Sequence, residues 1–205
     1  MRISRSCSSW TDAIQHIVDF ILELDRLKGV TRKSKPVGLD RYENSAEYSW
    51  QIAMFAGAMA EFADPGVDVH HVMQMLLVHD IGEIDTGDTI VYDDTGLAER
   101  KAAERVAVER IFGILPDPHG ARFLALWEEF ETGETPEARF AHAADRAMPV
   151  LLNLANGGGS WVENGIAYER VIAKVGPPIA AGCPALWEWL APQLADARER
   201  GFFGD

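Results

Sequence analysis

Apolar residues recur at helical spacing along nearly the whole chain, whereas alternating, strand-like runs bounded by turn residues are hard to find. The pattern predicts an all-α fold. A first helix runs from about Ser9 to Leu27, with Ile14, Ile17, Val18 and Ile21 on one stripe and Gly29 just past its end. A polar loop, "GVTRKSKPVGLDRYEN", leads to a second helix capped near Asn44 or Ser45. The turn "DPGVD" ends on Asp68, which caps a third helix carrying Val69, Val72, Met73 and Leu76. Further helices are expected over about 95–113, 118–131, 136–156, 161–174 and 184–200, punctuated at Pro116, Gly133, Pro136, the glycines 157 to 159 and the pair Pro177 and Pro178. No repeat, low-complexity tract or long linker divides the chain, so residues 1–205 are expected to form a single helical domain.

Composition narrows the function. The 205 residues are 47% hydrophobic and 25% charged, ordinary values for a globular protein. With 32 acidic against 19 basic residues the formal charge is −13, which argues against nucleic acid polymers and anionic membranes as partners but leaves room to capture a small anion locally. Cys7 and Cys183 lie far apart without metal-type spacing and read as free thiols in a reducing compartment, a disulfide being the alternative. The first residues lack the apolar core of a secretory signal, and the longest uncharged run, about 147–162, is broken by three glycines, so no membrane span is expected. A cytoplasmic protein is the simplest expectation.

The candidate chemistry begins at "MQMLLVHD", where His79 and Asp80 close an apolar helix. An imidazole nitrogen and a carboxylate oxygen side by side suit a divalent metal, and an Asp behind Leu76, Leu77 and Val78 needs a partner to offset its desolvation. A structural hydrogen-bonded His-Asp pair is the alternative. Glu83, Asp85 and Asp88 follow, so "HDIGEIDTGD" holds five carboxylates or imidazoles in ten residues. Far along the chain, Asp145 sits inside an apolar-periodic helix and likewise calls for a cation, or for a salt bridge such as Asp145–Arg146. Between Lys28 and Arg41 five basic residues, Arg32 among them, face one acidic residue, Asp40; this local excess suits a phosphate-holding loop, or is a solvated basic face. His142 lies one helical turn before Asp145 and either leans toward the same site or stays at the rim. His70, His71 and His119 read as structural, and the tryptophans as core or interface residues.

Together, "ENSAEYSW", "LLVHDIGEIDTGDT" and "ARFAHAADRAMPVLLN" resemble the HD-domain metal-dependent phosphohydrolases, in their branch of small 5′-deoxynucleotidase-like proteins, over roughly residues 10–175. The resemblance implies a helical bundle with ligands in the order His, His-Asp and Asp around one divalent ion (Mn, Co, Mg, Fe or Zn). It places His79, Asp80 and Asp145 as metal ligands, Glu83 on the attacking water, Asp88 as proton donor to the leaving group and Arg32 on the substrate phosphate. It also implies a small phosphorylated substrate, a nucleoside 5′-monophosphate above all, and a homodimer. This chain departs from the pattern at Tyr48, which stands where related sequences have the first His ("SAEHSW"), and at Lys33, where deoxynucleotide-selective members have an aromatic. Because a neutral phenol is a poor metal ligand, Tyr48 motivates an alternative: a catalytically weakened HD protein that binds a nucleotide or a protein partner without turnover.

Overall fold

In the computed structural model, which describes residues 7–92 and 95–204, helix follows helix and no strand forms among those residues. Helix α1 (Cys7–Leu24) runs on into a 3-10 turn, Asp25–Gly29. Its apolar stripe is wider than the body can cover: Ile14, Ile17, Val18 and Ile21 are 43 to 58% exposed, while Phe20 and Leu27 are buried. Phe20 stacks on Phe123 at 5.8 Å and meets Phe112 at 6.4 Å, so α1 is held through one edge only. The side chain of Cys7 lies outside the described residues; Cys183 is buried and unpaired.

Helix α2 (Ser45–Ala58) begins with a reciprocal cap. Asn44 accepts from the Glu47 backbone N–H at 3.0 Å, and Glu47 accepts from that of Asn44 at 3.3 Å, satisfying two end donors that would otherwise be orphaned. Helix α3 (Val69–Val78) starts at Asp68, whose carboxylate accepts from the backbone of His70 and His71. A one-turn helix α4 (Glu83–Thr86) follows, then α5 (Leu97–Phe112) and α6 (His119–Thr132). Gly82 is small because α5 crosses there: an added Cβ would lie 3.2 Å from the Glu104 carbonyl.

Helix α7 (Pro136–Ala155) is the central element, capped by Thr135 and started by Pro136. Ala138, Ala141, Ala143, Ala144 and Ala147 are buried along it and let α2, α3 and α9 approach closely. The helix expected over about 161–174 is instead two helices, α8 (Gly159–Glu163) and α9 (Tyr168–Gly182), separated at Gly165 with φ +60°. Pro177 and Pro178 do not end α9. Pro177 and Ala173, whose carbonyl loses its helical donor, are both exposed, so water can replace the missing bond while Val175 and Ile179 hold the helix to the core. Helix α10 (Pro184–Glu199) completes the bundle.

Candidate active site

The apolar face of α3 carries Val72, Met75 and Leu76 into the core, and the chain leaves the helix just after them, at His79. The ring is buried. Its Nδ1 donates to the Leu76 carbonyl at 2.8 Å, which fixes the tautomer and leaves Nε2 as a lone pair. In the neutral ring that nitrogen lies buried at the wall of a cavity of about 300 Å³, 3.0 Å from Asp80 Oδ1 and 3.5 Å from Asp145 Oδ1, with a hydrogen bond to neither. Burial disfavours the imidazolium, but the two carboxylates outweigh it and raise the His79 pKa above its ordinary value.

Arg32 reaches the same cavity from the loop before α2. An isolated bridge between Thr31 and Asn44 closes that loop, Arg32 N donates to the Glu43 carbonyl at 3.0 Å, and Ser34 Oγ donates to the buried Glu43 carboxylate. The guanidinium donates to Asp80 Oδ2 at 2.8 Å, with Asp88 at 3.5 Å and Glu83 at 3.9 Å. Glu83 accepts from Ser45 Oγ at 2.6 Å. Burial, then Asp80, pushes the Glu83 carboxyl well above its ordinary range against the pull of Arg32; burial raises Asp88 likewise. Of the three buried side-chain N or O atoms without a hydrogen-bond partner among the described residues, two are here: Arg32 Nε and His79 Nε2.

Tyr48 is fully buried and enters this site from α2. Its hydroxyl donates to Asp145 Oδ1 at 2.6 Å and lies 2.7 Å from the Asp145 backbone carbonyl. That carbonyl is available because the residue four positions on, Pro149, has no N–H to give it. Burial, with Asp145 beside it, holds the phenol well above its ordinary pKa, so it stays a neutral donor. Arg32 lies over the ring with Cζ 3.6 Å from its centroid. For Asp145, burial would raise the pKa, but Arg146, His79 and Tyr48 more than offset it, and the carboxyl is held far below its ordinary range. The Asp145–Arg146 ion pair is also present, at 3.1 Å through Oδ2.

All seven residues singled out in the sequence, Arg32, Tyr48, His79, Asp80, Glu83, Asp88 and Asp145, line this one cavity. His142 does not reach it: its Nε2 pairs with the Phe130 carbonyl at 2.8 Å, and Phe130 stands between its ring and that of His79. His70, His71 and His119 are also absent from the lining. Trp127 and Trp161 are buried, and Trp10, Trp50 and Trp189 are exposed. Sequence reasoning missed Ser45, Pro149, Tyr92 and Trp161, which also belong to the site or its walls. Pro149 could have been found, since a proline four residues after Asp145 in an expected helix frees that carbonyl.

The family model of the HD domain matches residues 24–187. The chain belongs to the HD-domain family. This HD-domain chain is 39% identical to a predicted metal-dependent phosphohydrolase from Magnetospirillum magnetotacticum MS-1 whose crystal structure is known; the two superpose with a TM-score of 0.88 over 95% of this chain and 100% of that one. It is 30% identical to the 5'-deoxynucleotidase YfbR of Salmonella arizonae, over 75% of this chain and 82% of that protein. It is 28% identical to the 5'-deoxynucleotidase HDDC2 of Danio rerio, over 65% and 68% respectively.

Whether the HD residues of this chain suit a divalent ion is decided by the donors themselves. Among the described residues no three His, Cys, Asp or Glu side chains stand, as they are placed, in an arrangement that would hold a metal ion. They form a half-open set, in which two carboxylate oxygens approach one unpartnered imidazole lone pair at 3.0 and 3.5 Å. Neighbouring ligands of an ion bound at about 2.1 Å lie about 3 Å apart, so these spacings fit.

Proposed function

We propose that this HD-domain phosphohydrolase cleaves the phosphate ester of a nucleoside 5′-monophosphate or a similar small phosphomonoester, with one divalent ion held by His79, Asp80 and Asp145. One observation carries the reading: the cavity buries an unpartnered lone pair, His79 Nε2, beside an unpartnered donor, Arg32 Nε. The first calls for a cation and the second for an anion, and a metal with a phosphate satisfies both. The names of the relatives, 5'-deoxynucleotidase and metal-dependent phosphohydrolase, support the same substrate class.

When bound, a divalent ion supplies positive charge to the phosphoryl oxygens and acidifies a water molecule. The protein groups divide the rest. Arg32 neutralises the phosphate through Nε and the guanidinium edge now shared with Asp80. Glu83, fixed by Ser45, accepts in its ionised form a proton from the attacking water as the water oxygen bonds to phosphorus. Asp88, beside Arg32 at 3.5 Å, gives a proton to the ester oxygen as the P–O bond breaks. The products are the nucleoside and inorganic phosphate.

Tyr48 takes no part in these transfers; it holds Asp145 and supports Arg32. The alternative of binding without turnover draws no support from the site, which keeps its remaining acidic and basic groups together. Mn²⁺, Co²⁺, Fe²⁺, Zn²⁺ and Mg²⁺ all accept one nitrogen and two carboxylates. A homodimer is supported by Trp10, Ile14, Ile17, Val18 and Ile21, which line one exposed apolar stripe of α1. No helix among the described residues is long and apolar enough to cross a membrane, and the unpaired Cys183 fits a reducing, cytoplasmic setting. The test is phosphate release from a panel of nucleoside monophosphates, paired with metal analysis of the same protein. Release that is lost in Asp145→Asn supports the reading, and metal-loaded protein that releases nothing refutes it.

A further inference from the structure

The cavity continues beyond the reacting groups. Asp145, Pro149 and Asn153 all line it from one face of α7, and their spacing of eight residues at 1.5 Å each carries the wall about 12 Å from the metal ligands. That is about the distance from the phosphorus of a nucleoside 5′-monophosphate to the far edge of its base. The far end is walled by Pro149, Val175 and Trp161, an apolar slot for a flat ring.

Several polar atoms there are engaged inside the protein. Ser160 Oγ donates to Asn153 Oδ1 at 3.1 Å, and Asn153 Nδ2 donates to the Pro149 carbonyl at 2.8 Å. Trp161 Nε1 donates to the Tyr92 hydroxyl oxygen at 3.2 Å, and Trp161 is itself fixed by stacking on Phe203 at 4.6 Å. Arg170 pins the Tyr92 backbone by donating to its carbonyl. The Tyr92 hydroxyl therefore accepts from the indole and gives its own proton to no acceptor among the described residues, although the side chain is buried and lines the cavity.

We infer that this end of the cavity binds the nucleobase, with Tyr92 Oη donating a hydrogen bond to a carbonyl or ring nitrogen of the base and Trp161, Pro149 and Val175 enclosing the ring. The inference rests on the nucleotide reading above and adds a residue that distinguishes a nucleotide from a bare sugar phosphate. A buried donor left without an acceptor penalises substrates that lack one.

The test compares phosphate release from a nucleoside 5′-monophosphate and from 2-deoxyribose 5-phosphate, in wild type and Tyr92→Phe. Wild type should favour the nucleotide. Tyr92→Phe should lower kcat/KM for the nucleotide about five- to tenfold, the scale of one neutral hydrogen bond, and leave deoxyribose 5-phosphate within about twofold. Loss of the indole's acceptor affects both substrates alike, so their ratio separates recognition from destabilisation. Equal wild-type values for the two substrates, or an equal fall in both, would overturn the assignment. If neither compound is hydrolysed, the phosphohydrolase reading fails by itself, and calorimetric titration of the nucleotide then judges Tyr92: weaker binding by Tyr92→Phe supports its role, and equal binding rejects it.

Discussion

The Tyr48 hydroxyl donates to Asp145 Oδ1 at 2.6 Å and covers, at 2.7 Å, the carbonyl that Pro149 leaves without a helical donor. Position 48 thus ties α2 to α7 beside the residues proposed to hold the metal. Tyr48→Phe strands both oxygens in a buried site, and the metal-free variant should lose about 1–3 kcal/mol of unfolding free energy in denaturant titrations. Stability equal to wild type would contradict the bond's importance. Tyr48→His should add a nitrogen donor and tighten Mn²⁺, Co²⁺ or Zn²⁺ binding by about tenfold in calorimetry of metal-stripped protein. Equal affinities would mean that residue 48 does not border the ion.

Arg32 joins Asp80, Glu83 and Asp88 and, on the proposed function, also holds the substrate phosphate. Arg32→Ala should lower kcat/KM for a phosphate ester by an amount worth about 1.5–3 kcal/mol, the scale of a charge-assisted hydrogen bond. The same variant leaves Asp80, Glu83 and Asp88 without their shared cation, so its melting temperature should fall more in metal-free than in metal-loaded protein. Unchanged kinetics would remove Arg32 from the site.

Glu83 gives a pH signature. Burial raises its folded pKa well above the ordinary 4.5, so between those values the folded protein holds a proton that the unfolded chain has released. Stability from this group is present below pH 4.5 and is lost as pH rises toward the folded value. Metal-free wild type should therefore lose melting temperature relative to Glu83→Gln as pH is raised from about 4.5 to 8. Parallel curves for the two proteins would show that Glu83 is not buried in this way.

The α7–α9 crossing depends on Gly182, where an added Cβ would lie 1.9 Å from the Arg139 carbonyl. Gly182→Ala should cost about 1–3 kcal/mol or more in denaturant unfolding, because the obstacle is backbone and cannot rotate away. A neutral outcome would show that the two helices separate easily.

Much of the bundle was legible because its signals are local. Asn44, Asp68 and Thr135 accept from the first turns of their helices, and the spacing of Val72, Leu76 and His79 sets one face of α3 toward the core. The fate of α1 was not legible, since periodicity marks an apolar stripe but cannot say whether a partner element covers it. Nor was the path of α9, where the two prolines suggested an end and the exposed Ala173 tolerates the donor that Pro177 lacks. At the site, residue types and order pointed to His79, Asp80 and Asp145, but the Tyr48 bond to Asp145 spans 97 residues and depends on a proline elsewhere in α7. Tyr92 gave no signal at all, because the role inferred for it depends on its hydroxyl already accepting from Trp161.

The central claim, that His79, Asp80 and Asp145 hold an ion which the hydrolysis requires, is tested most directly by titrating Mn²⁺ into metal-stripped protein while following phosphate release from a nucleoside 5′-monophosphate. The account predicts no release without metal, a saturable rise that ends at one ion per chain, and no rise in His79→Ala. Release that is independent of added metal, or a rise that survives in His79→Ala, would contradict it.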